Sequence, residues 1–265
     1  EKKQAIVKKA KRLMVPYFFL TVVTAVLKLL FGAFARNPLN YSTLAVDVLI
    51  GRNNPNGGLW FLYALFVISI FGILFDNVSR TVLAGVMFVL YMLNTVVLKQ
   101  SGYIVGFFLS YAWIYFMGGA VRKHLFEIIK NSELLMSVKG IVLIAVVSVG
   151  YMMLAFVSIY KSQSWSLATA VTVIGVFLLF VIAVQIEHYH CGEKLWMVLG
   201  DYGMDIYMIG YYVQQAIFVV CGKILGFDYL VYAWMMLFFG LIAPIFLSKN
   251  VVRKNHMLST LILGR

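Results

Sequence analysis

Four polar residues lie close together in an otherwise apolar stretch near the C-terminus. Tyr207, Tyr211, Gln214 and Gln215 fall at i, i+4, i+7 and i+8, a spacing that puts two hydroxyls and two amides on one stripe of a helix. Polar groups within lipid must find partners, so the stripe faces the protein interior or a wet cavity. It suits either hydrogen bonding between helices or the lining of a substrate cavity. Trp60 and Phe61 sit at the start of another apolar run, where the residues by themselves read as an aromatic belt. General bases are scarcer. His124, His188, His190 and His256 all fall in loops or at helix ends. His188, His190 and Cys191 form a lone HxHC without a second ligand pair, so no metal is expected. There is no GxSxG elbow, Walker loop, HExxH or dinucleotide fingerprint, which excludes the commoner soluble enzyme classes.

The elements that must position these residues are membrane-spanning. The chain is 63% hydrophobic and 12% charged, with a mean hydropathy of +0.92, whereas soluble domains are about 45–50% apolar and about 25% charged. A spanning helix takes about 20 apolar residues. Eight segments qualify or nearly so, at about 13–35, 57–75, 81–98, 103–121, 140–160, 165–186, 206–222 and 228–248. The predicted fold is an all-α polytopic integral membrane bundle, one domain over 1–265, with no internal repeat or low-complexity tract. Strands do not fit, because these runs are apolar on every face.

The net charge of +12 does not indicate nucleic acid, because Lys and Arg gather in short segments between apolar runs. They serve as a topology signal. Of the 22, sixteen fall on one side of the eight-span layout: Lys2, Lys3, Lys8, Lys9, Lys11, Arg12, Arg80, Arg122, Lys123, Lys130, Lys139, Lys194, Lys249, Arg253, Lys254 and Arg265. Arg36, Arg52, Lys99, Lys161 and Lys223 fall on the other, and Lys28 lies within the first span, where it is expected to snorkel outward. Both termini are then expected to be cytoplasmic. The outer segment 36–56 carries turn residues at both ends and an apolar centre that could lie along the interface and cover a site. The stretch 187–205 suits a short interfacial helix feeding the next span.

Several of these patterns resemble the acyltransferase 3 family of membrane acyltransferases, especially the branch that decorates cell-surface polysaccharides. KKAKRLMVPYFF resembles its basic entry to the third span, through Lys9, Arg12, Pro16 and Tyr17. NGGLWFLYALF, residues 56–66, is similar to the family's LWFL signature, and YFMGGAVRKH, residues 115–124, to a helix end followed by basic residues. LGDYGMDIYMIGYY resembles the final motif. The family has about ten spans and an Arg and a His about ten residues apart in the first. The resemblance therefore implies two further helices before this chain's first span, with the catalytic base on one of them. It also places Gly210 where the family often has His.

The resemblance implies O-acyl transfer from cytosolic acyl-CoA, a co-substrate rather than a tightly bound cofactor, to a hydroxyl of an extracytoplasmic glycan or glycolipid. The protein would act in membrane lipid, in a bacterial plasma membrane. Arg12, Arg122 and Lys123 would bind the donor's phosphates; without the resemblance they read as topology anchors. Trp60, Tyr207, Tyr211, Gln214 and Gln215 would line the substrate cavity. A polysaccharide or lipid-linked-sugar transporter or flippase is the main rival, although paired broken helices in two related halves are not evident. A noncatalytic assembly subunit is the third possibility. The charge partition generates a direct test: a cysteine placed within 36–56 should react only with reagent added outside, and one at Ser132 only from the cytoplasm; the reverse pattern would invert the topology.

Overall fold

The computed structural model describes residues 2–32, 40–51, 54–96, 103–160, 165–190 and 192–265. Among these there are helices and no strand. In chain order they are α1 Lys2–Leu30, α2 Leu44–Ile50, α3 Trp60–Leu74, α4 Arg80–Val96, α5 Tyr103–Lys130, α6 Val138–Tyr160, α7 Trp165–Tyr189, α8 Glu193–Asp201, α9 Gly203–Ile217, α10 Tyr229–Leu247 and α11 His256–Leu263. π-helical stretches, Phe218–Ile224 and Ser248–Val252, extend α9 and α10. Five described helices are long and apolar enough to cross a membrane: Lys2–Leu30, Val138–Val157, Thr169–Tyr189, Gly203–Ile224 and Tyr229–Val252. Trp60–Leu74 and Arg80–Thr95 are apolar but shorter. The protein is a helical integral membrane protein.

The chain forms two compact units, Glu1–Tyr115 with Leu199–Arg265, and Phe116–Val198. In the second, α6 and α7 pack around Ile129, Ile144, Val181 and Val184. Ser137 Oγ accepts the Gly140 N–H at 3.2 Å and starts α6. Gln185 Nε2 donates to the Leu135 carbonyl at 2.7 Å, and the Tyr189 hydroxyl to that of Met136. These bonds pair loop carbonyls that the turn leaves open. On α8, Leu195, Trp196, Met197 and Val198 are exposed.

The first unit is organised around α1. Its 29 residues span about 44 Å, whereas the 15 of α3 span about 22 Å. The two run antiparallel. Lys2 Nζ donates to the Leu74 carbonyl at the end of α3 (3.3 Å), and the rings of Tyr17 and Tyr63 lie 5.3 Å apart near its start. Since α3 begins level with the middle of α1, the segment before it reaches that depth too. Pro55, Asn56 and Leu59 are buried, whereas α2 buries Val48 and leaves Val46, Leu49 and Ile50 exposed.

Close packing elsewhere depends on glycine. Gly210 of α9 is buried, and a Cβ built on it would lie 3.1 Å from the Gly240 carbonyl of α10. The family's frequent His position is therefore a helix contact in this chain, and its side chain would meet α10 backbone. Pro16, inside α1, has no N–H for the Arg12 carbonyl four residues earlier. Against that carbonyl sits Gly264, the left-handed C-cap of α11 (φ 65°), where a Cβ would come within 2.4 Å. This contact seats the C-terminus on α1. Gly210→Leu should force α9 and α10 apart and destabilise the bundle by about 1–3 kcal/mol; a thermal unfolding midpoint lowered by several degrees is the expected readout.

Candidate functional site

The entering segment is held by side chains that satisfy its backbone. Asp47 suits the first turn of α2, and Gly51 closes its C-terminus in the left-handed region (φ 73°). The Val48 and Leu49 carbonyls, at the open end of the helix, accept from the hydroxyls of Tyr17 and Tyr63, each at 2.8 Å. Past the two undescribed residues 52–53, two Asx turns follow in succession. Asn54 Oδ1 accepts the Asn56 N–H (2.9 Å), and Asn56 Oδ1 accepts the Gly58 N–H (3.0 Å). Asn54 Nδ2 donates to Thr21 Oγ1 at 2.8 Å.

From the other side, α9 closes this arrangement. The Tyr207 hydroxyl donates to the Gly58 carbonyl. The Tyr212 hydroxyl donates to the Leu20 carbonyl (3.0 Å) and lies 2.8 Å from Thr24 Oγ1. Tyr17, Thr21, Thr24 and Asn56 are buried. The result is a chain of hydroxyls and amides between α1, the 54–59 segment and α9, directly above the apolar cluster of Leu13, Met14, Leu20, Leu59, Leu62 and Met208. Its hydroxyls and amides bond to one another, to backbone carbonyls and to turn N–H groups. Its members are all neutral groups, with no general base for pH 7 among them.

The LWFL residues serve this site in different ways. Leu59 and Leu62 are buried in the apolar cluster. Trp60 lies on the Tyr111 ring of α5 (5.1 Å, 30°), and Phe61 meets Tyr207 edge-on at 5.6 Å. Of the cavity residues expected from the sequence, Trp60 and Tyr207 are thus gathered around residues 58–61. Tyr211 is half-buried with its ring edge-on to Tyr212 (5.5 Å). Gln214 turns toward α10, where its amide would lie 2.8 Å from a Cβ at Gly240, and Gln215 is exposed.

Arg12 is exposed in the first unit and Arg122 in the second, and the side chain of Lys123 lies outside the described residues. His124, His188, His190 and His256 are exposed, and His190 Nδ1 sits 3.2 Å from Glu193 Oε2. Cys191 lies outside the described residues, among which no group of three His, Cys, Asp or Glu comes together. Lys28 is half-buried in the last turn of α1, where a cation meets the negative end of the helix dipole.

Sequence reasoning passed over Tyr212, Thr21, Thr24, Asn54 and Asn56. A signal existed in part, because Tyr17, Thr21 and Thr24 stand at i, i+4 and i+7 and so share a face of α1. It also passed over Asp205, which is fully buried in the first turn of α9. Its Oδ2 accepts from Ser248 Oγ and from Arg253 Nε and Nη2 (2.7 and 2.6 Å). Arg253 also donates to the Asp201 carbonyl and covers the Tyr202 ring at 3.8 Å. Arg265 Nη2 lies 3.9 Å from Asp205 Oδ1.

A family model described as an acyltransferase domain, that of the acyltransferase 3 family, matches residues 2–249. The chain belongs to this family. No curated protein and no solved structure matches it significantly. The protein is therefore a membrane acyltransferase, and the matched span contains α1, the entering segment and α9. In this acyltransferase the Asp205 pair fixes the base of α9, the helix that carries Tyr207 and Tyr212. Asp205→Ala should leave the partly exposed Arg253 without its counter-charge and cost about 1–3 kcal/mol, seen as lost thermal stability in detergent.

Proposed function

We propose that this acyltransferase crosses the membrane about eight times with both termini cytoplasmic, and moves an acyl group from cytosolic acyl-CoA to a hydroxyl of an extracytoplasmic glycan or glycolipid. The observation that carries the reading is the polar chain of Tyr17, Thr21, Thr24, Asn54, Asn56, Tyr207 and Tyr212, level with the middle of α1. A neutral, hydrogen-bonding surface at that depth suits a hydroxyl acceptor better than a charged one.

In the reaction, the acceptor oxygen attacks the thioester carbonyl. A C–O bond forms, the C–S bond breaks, the acceptor proton goes to a general base and CoA leaves as the thiol. Tyr207 and Tyr212 are assigned to orienting the acceptor, and Trp60 to packing the wall beside it. Tyr211, Gln214 and Gln215 extend the path along α9. Arg12, Arg122 and Lys123 are assigned to the donor's phosphates, where charge-assisted contacts are the strong ones. The basic side of the chain is assigned to the cytoplasm, where the donor is found, and the membrane to a bacterial plasma membrane.

Two variants separate the two ends of the reaction. Replacing Arg122 and Lys123 together by Ala should weaken acyl-CoA binding at least tenfold, since two contacts of about 1.5–3 kcal/mol each are removed. Tyr212→Phe should leave donor binding intact and lower acylation of the acceptor about tenfold. Radiolabelled donor binding and glycan acylation, measured side by side, report both. Unchanged donor binding in the double variant would remove the phosphate role, and full acylation by Tyr212→Phe would remove the acceptor role of the network.

A further inference from the structure

Beside the polar chain, and sharing Tyr212 with it, α1, α9, the π-helical end of α10 and α11 line an open groove of about 370 Å³. Phe19, Val23, Ile209, Val251, Leu258 and Ile262 line it, and the surface they present is carbon throughout. The charged groups stand beside the groove. Arg253 directly follows the lining residue Val252, and Arg265 comes three residues after Ile262.

The charges there do not balance. Asp205 is one buried carboxylate facing two guanidiniums. Arg253 is committed to it at 2.6 Å, to the Asp201 carbonyl and to the Tyr202 ring. Arg265 is held only at 3.9 Å, and 46% of its side chain is exposed. The more exposed of the two guanidiniums thus belongs to a residue three positions beyond the lining residue Ile262, and such a group can accept an anion.

The pairing of these two features selects the ligand. A pantetheine arm would strand its amides along a carbon-lined wall. A ligand whose phosphate is joined to hydrocarbon through a short ester linkage leaves no amide unpaired. Basic pockets beside transmembrane helices recognise anionic headgroups by the same logic. We infer that the groove binds an acyl chain of an anionic glycerophospholipid, with Arg265 on its phosphate, and that this lipid fastens α11 to α1 and α9. The groove adjoins the polar chain at Tyr212 and Leu20, which belong to both, while its test reads lipid retention and not acylation.

The test uses the whole protein, delipidated in detergent and titrated with phosphatidylglycerol, phosphatidylcholine or glycerol phosphate. Native mass spectrometry reads retained lipid, and the unfolding midpoint reads stabilisation, which rises with ligand concentration when only the folded state binds. The wild type should retain one phosphatidylglycerol with at least tenfold preference over phosphatidylcholine. Arg265→Gln, at an exposed side chain near the end of the chain, should abolish the preference. Val251→Trp should fill the groove and abolish retention of both lipids, while Val146→Trp, on an exposed face of α6, should change nothing. Equal retention of the two lipids by the wild type and all three variants would reduce the groove to ordinary lipid contact and overturn the inference. So would binding of glycerol phosphate as tight as that of the intact lipid, or an unaffected Val251→Trp.

Discussion

The structure depends on pairing backbone polar groups that enter an apolar bundle. An unpaired peptide group in such surroundings costs about 1–3 kcal/mol by mutational measures, so residues 54–59 and the end of α2 can pack on α1 only with their described turns answered. Tyr17 and Tyr63 take the carbonyls at the end of α2, Asn54 and Asn56 take the N–H groups of the turns, and Tyr207 takes the carbonyl of Gly58. Irregular backbone at membrane depth is tolerated when protein surrounds it in this way. The same groups that permit the segment's entry create the polar chain at the candidate site.

Helix α9 links the parts of the first unit. Around its axis, Asp205 meets Arg253 and Ser248, Tyr207 meets Gly58 and Phe61, Met208 enters the apolar cluster, Gly210 meets α10 and Tyr212 meets α1. Each neighbour thus has its own contact on this helix. Gly210 explains how the family motif tolerates a departure here: the space a side chain would need is occupied by the backbone of Gly240.

Local patterns made the helical class and the family legible in the sequence, because apolar runs and motifs such as LWFL are contiguous. The short helix within 187–205 was legible for the same reason: its apolar LWMV and flanking charges are local, and they form α8. The depth of the 40–59 segment was not, because Asn54 and Asn56 look like ordinary turn residues until Thr21 and Tyr207 are brought to them across the fold. The stripe from Tyr207 to Gln215 was read as one face, yet contacts along α9 distribute it, with Tyr207 toward α3, Gln214 toward α10 and Gln215 outward. Tyr212, one position from that stripe, makes the bond to α1 instead. The Asp205–Arg253 pair spans a gap in sequence that no periodicity bridges.

The central claim is that residues 54–59 are held against α1 and α9 by Asn54, Asn56 and Tyr207. Hydrogen–deuterium exchange of the protein in lipid nanodiscs tests it most directly. The described amides of this segment that bond internally, those of Asn56 and Gly58 above all, should exchange at least a hundredfold more slowly than unstructured chain, and Tyr207→Phe should release them selectively while the amides of α6 keep their rates. Exchange of these amides at the rate of an open loop in the unaltered protein would contradict the account.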